Sequence, residues 1–148
     1  MVQRIKDGKF IYSSNFMPFV PQMRYIRYFE IGDIVKQVRS DLSNGKFDSI
    51  QKSIFEERTP EFLFNIENDF WETHNLVDNR KYEKLSEKMR KELDADILKS
   101  RDVMFFPEYE IGLISKSVTP YEFRLDKKRY PLKEIYGAAS LSGKRGNC

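Results

Sequence analysis

The chain has 148 residues, 40% hydrophobic, 33% charged and 14% aromatic, with a formal net charge of +3. That length suits one domain with a real core, and twelve Phe with eight Tyr exclude a disordered chain, which lacks the apolar area to offset its ordering entropy. No apolar run approaches the roughly 18 residues of a membrane span, so no membrane contact is expected.

The opening stretch "MVQRIKDGKF" lacks the apolar centre of a secretory signal. The single cysteine, Cys148, is the last residue, and the single histidine is His74. An intramolecular disulfide and the usual zinc sets are therefore excluded. Cys148 is also misplaced for prenylation. A cytoplasmic setting fits, and neither a metal nor a cofactor is expected. Charge is uneven along the chain. Residues 1–29 hold five basic side chains against one acid, residues 30–123 hold 14 against 20, and residues 124–148 hold seven against two. Two basic ends flank an acidic middle.

In chain order, "VQRIKDGKFIY" reads as a β-hairpin with Asp7-Gly8 in a tight turn. Residues 13–22, "SSNFMPFVPQ", hold two prolines and are expected to be an extended loop or arm. Met23 to Phe29 reads as a strand. Met23, Tyr25, Arg27 and Phe29 would share its core side, with Arg24, Ile26 and Tyr28 on the other. Helical spacing follows: Ile31, Ile34, Val35, Val38 and Leu42 form a stripe that stops at Asn44-Gly45. A short second helix has Asp48 as N-cap and Phe47, Ile50, Ile54 and Phe55 as its apolar residues. A third helix is expected from Thr59 as cap and Pro60 at the first helical position, with Phe62, Leu63, Ile66, Phe70 and His74 on one face. The fourth runs from Arg80 to Ser100 with Tyr82, Leu85, Met89, Leu93 and Ile97 inward, and Glu87 and Lys91 in the favourable i, i+4 order. From Val103 onward "VMFF", "YEIGLIS" and "YEFRLDKKRYPL" are rich in aromatic and β-branched residues and read as two or three antiparallel strands, with "DKKR" making the last turn. Residues 137–148 show no core pattern and read as a flexible or docking tail. The expected fold is α+β. About four central helices would pack on a small sheet made by the N-terminal hairpin and the C-terminal strands, in one domain over residues 1–136.

No catalytic signature stands out. His74 can titrate near neutrality but reads as a helix-end residue with a local partner. Glu56-Glu57 and Glu67, Asp69 and Glu72 lack the spacing of a calcium loop and read as solvated faces. "SGKRG" lacks the first glycine of a phosphate loop. Glu108, Asp126 and Lys128 on adjacent strands would follow the logic of a metal-dependent nuclease of the PD-(D/E)xK type. Two acids would hold Mg²⁺ and the lysine would steady charge. The basic ends offer a different chemistry. Arg24, Arg27 and Tyr28 combine cations with a ring, as do Lys127, Lys128, Arg129 and Tyr130, with Lys144 and Arg145 in the tail. Such sets suit single-stranded nucleic acid, because cations neutralise phosphates while rings stack on bases. The stiff "FMPFVP" segment could equally dock on a partner chain.

The preferred reading is a non-enzymatic binding or assembly protein that contacts nucleic acid or a protein complex through its basic ends. Richness in Lys, Ile, Phe, Tyr and Asn suits a small bacterial or phage protein. The alternatives are the nuclease and a small inhibitor whose acidic helices imitate a polyanion.

Overall fold

A computed structural model describes residues 2–144, with side chains through residue 141. It has an α+β architecture built on a three-stranded antiparallel sheet. Strands β1 (Val2–Asp7) and β2 (Phe10–Asn15) form the expected hairpin, with Gly8 at φ 57° supplying the left-handed turn residue. The third strand, β3 (Glu61–Asn65), pairs with β2, and among the described residues no C-terminal strand joins the sheet. The helix expected at Thr59 is therefore a strand. Its Thr59 hydroxyl donates to the Glu61 carbonyl, and no helix N-terminus is there to cap. The outer edge of β3 is covered by the segment after it. The Leu63 N–H donates to the Asn75 side chain at 2.9 Å, and the Leu76 N–H donates to the Leu63 carbonyl at 2.8 Å.

Three short helices lie between β2 and β3: α1 (Arg27–Glu30), α2 (Asp33–Ser43) and α3 (Ser49–Ser53). The ends of this excursion meet where the Asn15 N–H donates to the Pro60 carbonyl at 2.7 Å. Its first part, expected to be extended, is so only through Asn15. Ser13–Asn15 complete β2, Phe16 enters the core, and Val20 closes a turn onto Met17. Met23 to Phe29 is not a strand either, because the sheet edge that it would need is held by β3. It turns instead into α1, which α2 holds through Arg39. That guanidinium pairs with both Glu30 oxygens, donates to the Met23 carbonyl and lies over the Phe55 ring. Asp48 caps α3 in a reciprocal box with Gln51, as its position suggested.

The long helix α4 (Glu83–Ser100) begins after a 3-10 turn at Arg80–Tyr82 and lies across the sheet. Ile5, Tyr12 and Leu63 are cross-strand neighbours, and they pack with the Met89, Leu93 and Ile97 stripe of α4. The expected C-terminal strands are helices: α5 (Glu108–Ile114), α6 (Pro120–Phe123) and α7 (Leu132–Lys144), after a 3-10 turn at Val103–Phe105. Thr119-Pro120-Tyr121-Glu122 is a complete capping box with proline at the first helical position, which starts α6. The rings that suggested strands instead build the core. Phe106, Phe123 and Tyr130 meet edge-on or tilted, as do Phe16, Phe105 and Tyr136. Residues 137–144, expected in a tail, belong to α7, and the tail beyond them lies outside the described residues. Among the described residues no helix is long and apolar enough to cross a membrane.

Two polar seams join the layers. Arg90 of α4 makes two parallel bonds to Glu61 of β3 (2.6 and 2.7 Å), and the Tyr12 hydroxyl donates to the same carboxylate at 2.7 Å. Arg101, in a left-handed conformation after α4, donates to the carbonyls of Arg124 and Tyr130, while the Tyr130 hydroxyl donates to the Asp102 carbonyl.

Removing one member of the first seam should be costly. Glu61→Gln strips a half-buried guanidinium of its carboxylate and is expected to cost about 2–3 kcal/mol. A urea-denaturation cycle with Glu61→Leu and Arg90→Met checks this, because the double variant should recover much of the loss.

Burial also pushes the phenol pKa values of Tyr12 and Tyr130 up to about 12 and raises that of Tyr136, which additionally bonds Asp94. An unfolded tyrosine ionises near pH 10, so above that pH the unfolded chain binds fewer protons than the folded one. Stability should be whole below pH 10 and fall as pH rises further, on the order of 1 kcal/mol per pH unit for each of these tyrosines. Denaturant midpoints measured from pH 9 upward, beside a phenolate absorbance titration, give the comparison. Unchanged midpoints would contradict the burial.

Candidate functional site

The "QMRYIRYFE" stretch leaves its rings outside. Tyr25 is 72% exposed, Tyr28 is 80% exposed and Phe29 is 53% exposed. The core role expected for Tyr25 and Phe29 is thus not taken up, whereas the exposure expected of Tyr28 is seen. The cause is local: this segment belongs to the excursion and not to the sheet, so no strand alternation turns a side inward. Ile31 and Ile34 of the expected α2 stripe are also exposed, while Val35, Val38 and Leu42 are half-buried. The excursion has only a small apolar centre of its own, in which Phe47 stacks on Phe55.

Arg24 and Arg27 are exposed, and neither forms an ion pair among the described residues. By contrast Glu30 pairs with Arg39 at 2.6 Å and Asp33 with Lys36 at 3.0 Å. The acids of this face are engaged and two of its cations are not. A third cation, Arg58, escaped sequence reasoning. Its backbone N–H donates to the Pro18 carbonyl at 2.8 Å, and the Met23 N–H donates to the Ile54 carbonyl at 2.9 Å. These bonds set the 54–58 segment against residues 18–23. The Arg58 guanidinium is lowered in pKa, first by desolvation and then by the charge of Arg24. The sequence gives no sign of this influence, because thirty-odd residues separate the two arginines in the chain.

The C-terminal basic set is differently arranged. Lys127, Lys128 and Arg129 are exposed on the turn after α6. One oxygen of Asp126 accepts from the backbone N–H groups of both Lys128 and Arg129 at 3.0 Å, which holds the Asp126 carboxyl below the usual carboxylate range. Tyr130, proposed as a contact ring, is fully buried and unable to stack on a ligand. The exposed ring here is Tyr121, and the Arg124 guanidinium lies 4.2 Å over it. Lys144 ends α7, and Arg145 lies outside the described residues. Among the described residues no hydrogen bond, ion pair or ring contact links the 24–28 group to the 127–130 group.

The nuclease geometry is not formed as expected. Glu108 opens α5, Asp126 braces a turn and Lys128 sits within that turn, so adjacent strands do not carry them. Among the described residues no three His, Cys, Asp or Glu side chains gather as metal ligands. His74 lies in the loop after β3 and not on a helix, exposed, with its ring nitrogen 2.8 Å from the Thr73 hydroxyl. A cleft of about 80 Å³ between the sheet, α4 and α7 is lined by Asn15, Glu61, Arg90, Asp94, Tyr136 and Ser140. The Arg90–Glu61 and Tyr136–Asp94 bonds occupy much of its polar lining, and it has room for a few water molecules.

Neither a protein-family model nor a curated protein sequence matches the chain.

A second exposed aromatic point lies in the loop after β3. Phe70 and Trp71 meet edge-to-face at 5.1 Å, and Trp71 is 81% exposed. Asp69 holds the turn by accepting from the Thr73 and His74 N–H groups, and Arg4 pairs with Glu72 at 2.5 Å. Glu72 has φ 54°, a strained value for a residue with a side chain. As the single tryptophan, Trp71 should be quenched by acrylamide nearly as readily as free indole. Asp69→Ala should loosen the turn and raise local amide exchange without unfolding the domain. Strong protection of Trp71 in the free protein would show that something covers this turn.

Proposed function

We propose that the protein is a non-enzymatic binding protein whose contact surface is the 24–28 face, and that this face takes single-stranded nucleic acid. The observation that carries the reading is the set of exposed Tyr25 and Tyr28 beside Arg24 and Arg27, neither of which has an ion-pair partner among the described residues. Unpaired cations neutralise phosphates and release counterions, while uncovered rings offer stacking of about 1–3 kcal/mol per base. The exposed turn at Lys127, Lys128 and Arg129 would add charge to the same function. An acidic decoy receives less support, because Asp41, Glu61, Glu67, Glu72 and Glu92 each have a basic partner within 4.0 Å.

A second reading, docking on a protein complex, has its own support in the exposed Phe29, Ile31 and Ile34 next to the same arginines. Apolar side chains grouped on a surface favour a protein partner.

Titrating a labelled oligothymidylate at rising salt separates the two readings. Charge-driven contact should lose about tenfold or more in affinity between 50 and 200 mM salt. Arg24→Glu with Arg27→Glu should abolish binding, and Tyr28→Ala should weaken it about tenfold without flattening the salt slope. Absence of binding at low salt would reject the nucleic-acid reading and leave the protein partner.

A further inference from the structure

The cleft between the sheet, α4 and α7 is unbalanced in charge. Two carboxylates line it, Glu61 of β3 and Asp94 of α4, and each accepts from a phenol: Glu61 from Tyr12 at 2.7 Å, Asp94 from Tyr136. Glu61 also has the Arg90 guanidinium, through bonds of 2.6 and 2.7 Å. Asp94 has no such cation. It is half-buried, one helical turn beyond Arg90, and forms no ion pair among the described residues. A carboxylate drawn partly out of water and matched by a neutral hydroxyl alone lacks a positive partner.

The protons of the lining point the same way. Tyr136 spends its hydroxyl proton on Asp94, Tyr12 on Glu61, and Ser140 on the Tyr136 carbonyl at 2.9 Å. With the Tyr12 proton committed, the 3.4 Å contact between Tyr12 and Ser14 must use the proton of Ser14. The Asn15 amide nitrogen donates to the Thr59 carbonyl at 3.4 Å, and Arg90 turns its fork to Glu61. These donors are engaged within the fold, whereas the Ser14 and Ser140 oxygens and the Asp94 carboxylate keep acceptor lone pairs. The ligand that answers such a lining is positive and only donates. An ammonium group, with three N–H donors and no acceptor, does both. A metal ion is served less well, since no three His, Cys, Asp or Glu side chains gather among the described residues. The rings of Phe16 and Tyr136, with centroids 5.7 Å apart, border the cleft and supply apolar surface for the carbon next to the nitrogen. The volume of about 80 Å³ admits the tip of an alkylammonium and is far too small for a nucleotide.

We infer that this cleft binds a primary alkylammonium group, with Asp94 as its counter-ion and the Ser14 and Ser140 hydroxyls as acceptors. The site shares no residue with the 24–28 face and stands or falls independently of what that face binds. A free small amine and a lysine side chain of a partner protein present the same group.

Amide spectra of the ¹⁵N-labelled chain, titrated with methylammonium chloride against sodium chloride at equal ionic strength, provide the test. Two non-hydrogen atoms limit the affinity to a Kd on the order of 10 mM. Shifts around Ser14, Asp94 and Ser140 should therefore saturate with a midpoint of about tens of millimolar. Tetramethylammonium, which has no N–H to donate, and potassium should leave those amides in place. Asp94→Asn keeps an acceptor for Tyr136 while removing the charge, and should weaken methylammonium binding at least about tenfold. Ser140→Leu fills the cleft from α7 with Asp94 intact, and should block the site even if Asp94→Asn disturbs the fold. No saturable shift in the wild-type chain, equal shifts from tetramethylammonium or potassium, or a wild-type titration in both variants would overturn the site.

Nα-acetyl-lysine amide carries the same group on a four-carbon stem and separates the two sources. Shifts at the same amides, with a midpoint no higher than that of methylammonium, uphold the site for a lysine side chain. Saturation by methylammonium with acetyl-lysine amide excluded upholds it for a free amine.

Discussion

The bidentate bond between Arg90 and Glu61 is the point on which the rest of the molecule hangs. Glu61 is the first residue of β3, Arg90 lies midway along α4, and Tyr12 of the central strand donates to the same carboxylate. One carboxylate therefore ties an edge strand, a central strand and the long helix. Its position is set by burial as well as by charge, because Tyr12 and Leu63 fill the space under α4. Once α4 is fixed to the sheet, it carries the C-terminal half of the chain. Tyr136 of α7 bonds Asp94, and Arg101 at its end gathers the carbonyls of Arg124 and Tyr130.

The same constraint explains why the candidate face is exposed. Pairing β3 with β2 pins both ends of the excursion that holds α1, α2 and α3. Closing so long a loop costs only slightly more than closing a short one, so the insertion is tolerated. Its side chains, however, are kept away from the main core, where the space under the sheet is filled by α4. Arg39, Glu30 and the Phe47–Phe55 stack hold the excursion together. Tyr25, Tyr28, Phe29, Ile31, Ile34 and Ile50 face solvent, and Arg24, Arg27 and Arg58 form no ion pair among the described residues.

What was legible in the sequence follows the range of the interactions involved. The hairpin, the α4 stripe and the Asp48 cap were readable because each depends on residues a few positions apart. Two Thr-Pro segments show where reading failed. "TPEF" at 59–62 has its acid at the second position after Pro60's partner threonine, which leaves no reciprocal cap, and it becomes a strand. "TPYE" at 119–122 has the acid at the third and closes the box. Attention to that one-residue shift would have recovered α6 and questioned the third helix. The pairing of β3 with β2 was not legible, since nothing local marks which strand a distant segment joins. The same limit applies to the candidate site. Exposure of Tyr28 was expected from a strand alternation that the segment does not adopt, so the outcome agrees without its reason, whereas burial of Tyr130 depends on Phe106, Phe123 and the Asp102 carbonyl. The influence of Arg24 on Arg58 was invisible for the same reason, as only the fold brings it to bear.

Electrostatics, finally, turns on which charges are left over and not on segment totals. The middle of the chain is acidic in sum, yet several of its carboxylates are spent inside the fold: Glu30 on Arg39, Asp41 on Lys46, Glu61 on Arg90 and Asp69 on backbone N–H groups, as is Asp126 in the C-terminal segment. Those bonds hold Glu30, Asp41, Asp69 and Asp126 below the usual carboxylate range, so they stay ionised and engaged through ordinary acidity. Arg24, Arg27 and Arg58 have no such partner among the described residues, and Lys127 and Lys128 stand exposed on their turn. The fold thus leaves these cations without a carboxylate among the described residues, while Glu30 and Asp33 close by are each paired with a cation. Salt screens exposed charges over about 8–10 Å, so their pull would be felt mainly at close range, where the Tyr25 and Tyr28 rings are also within reach.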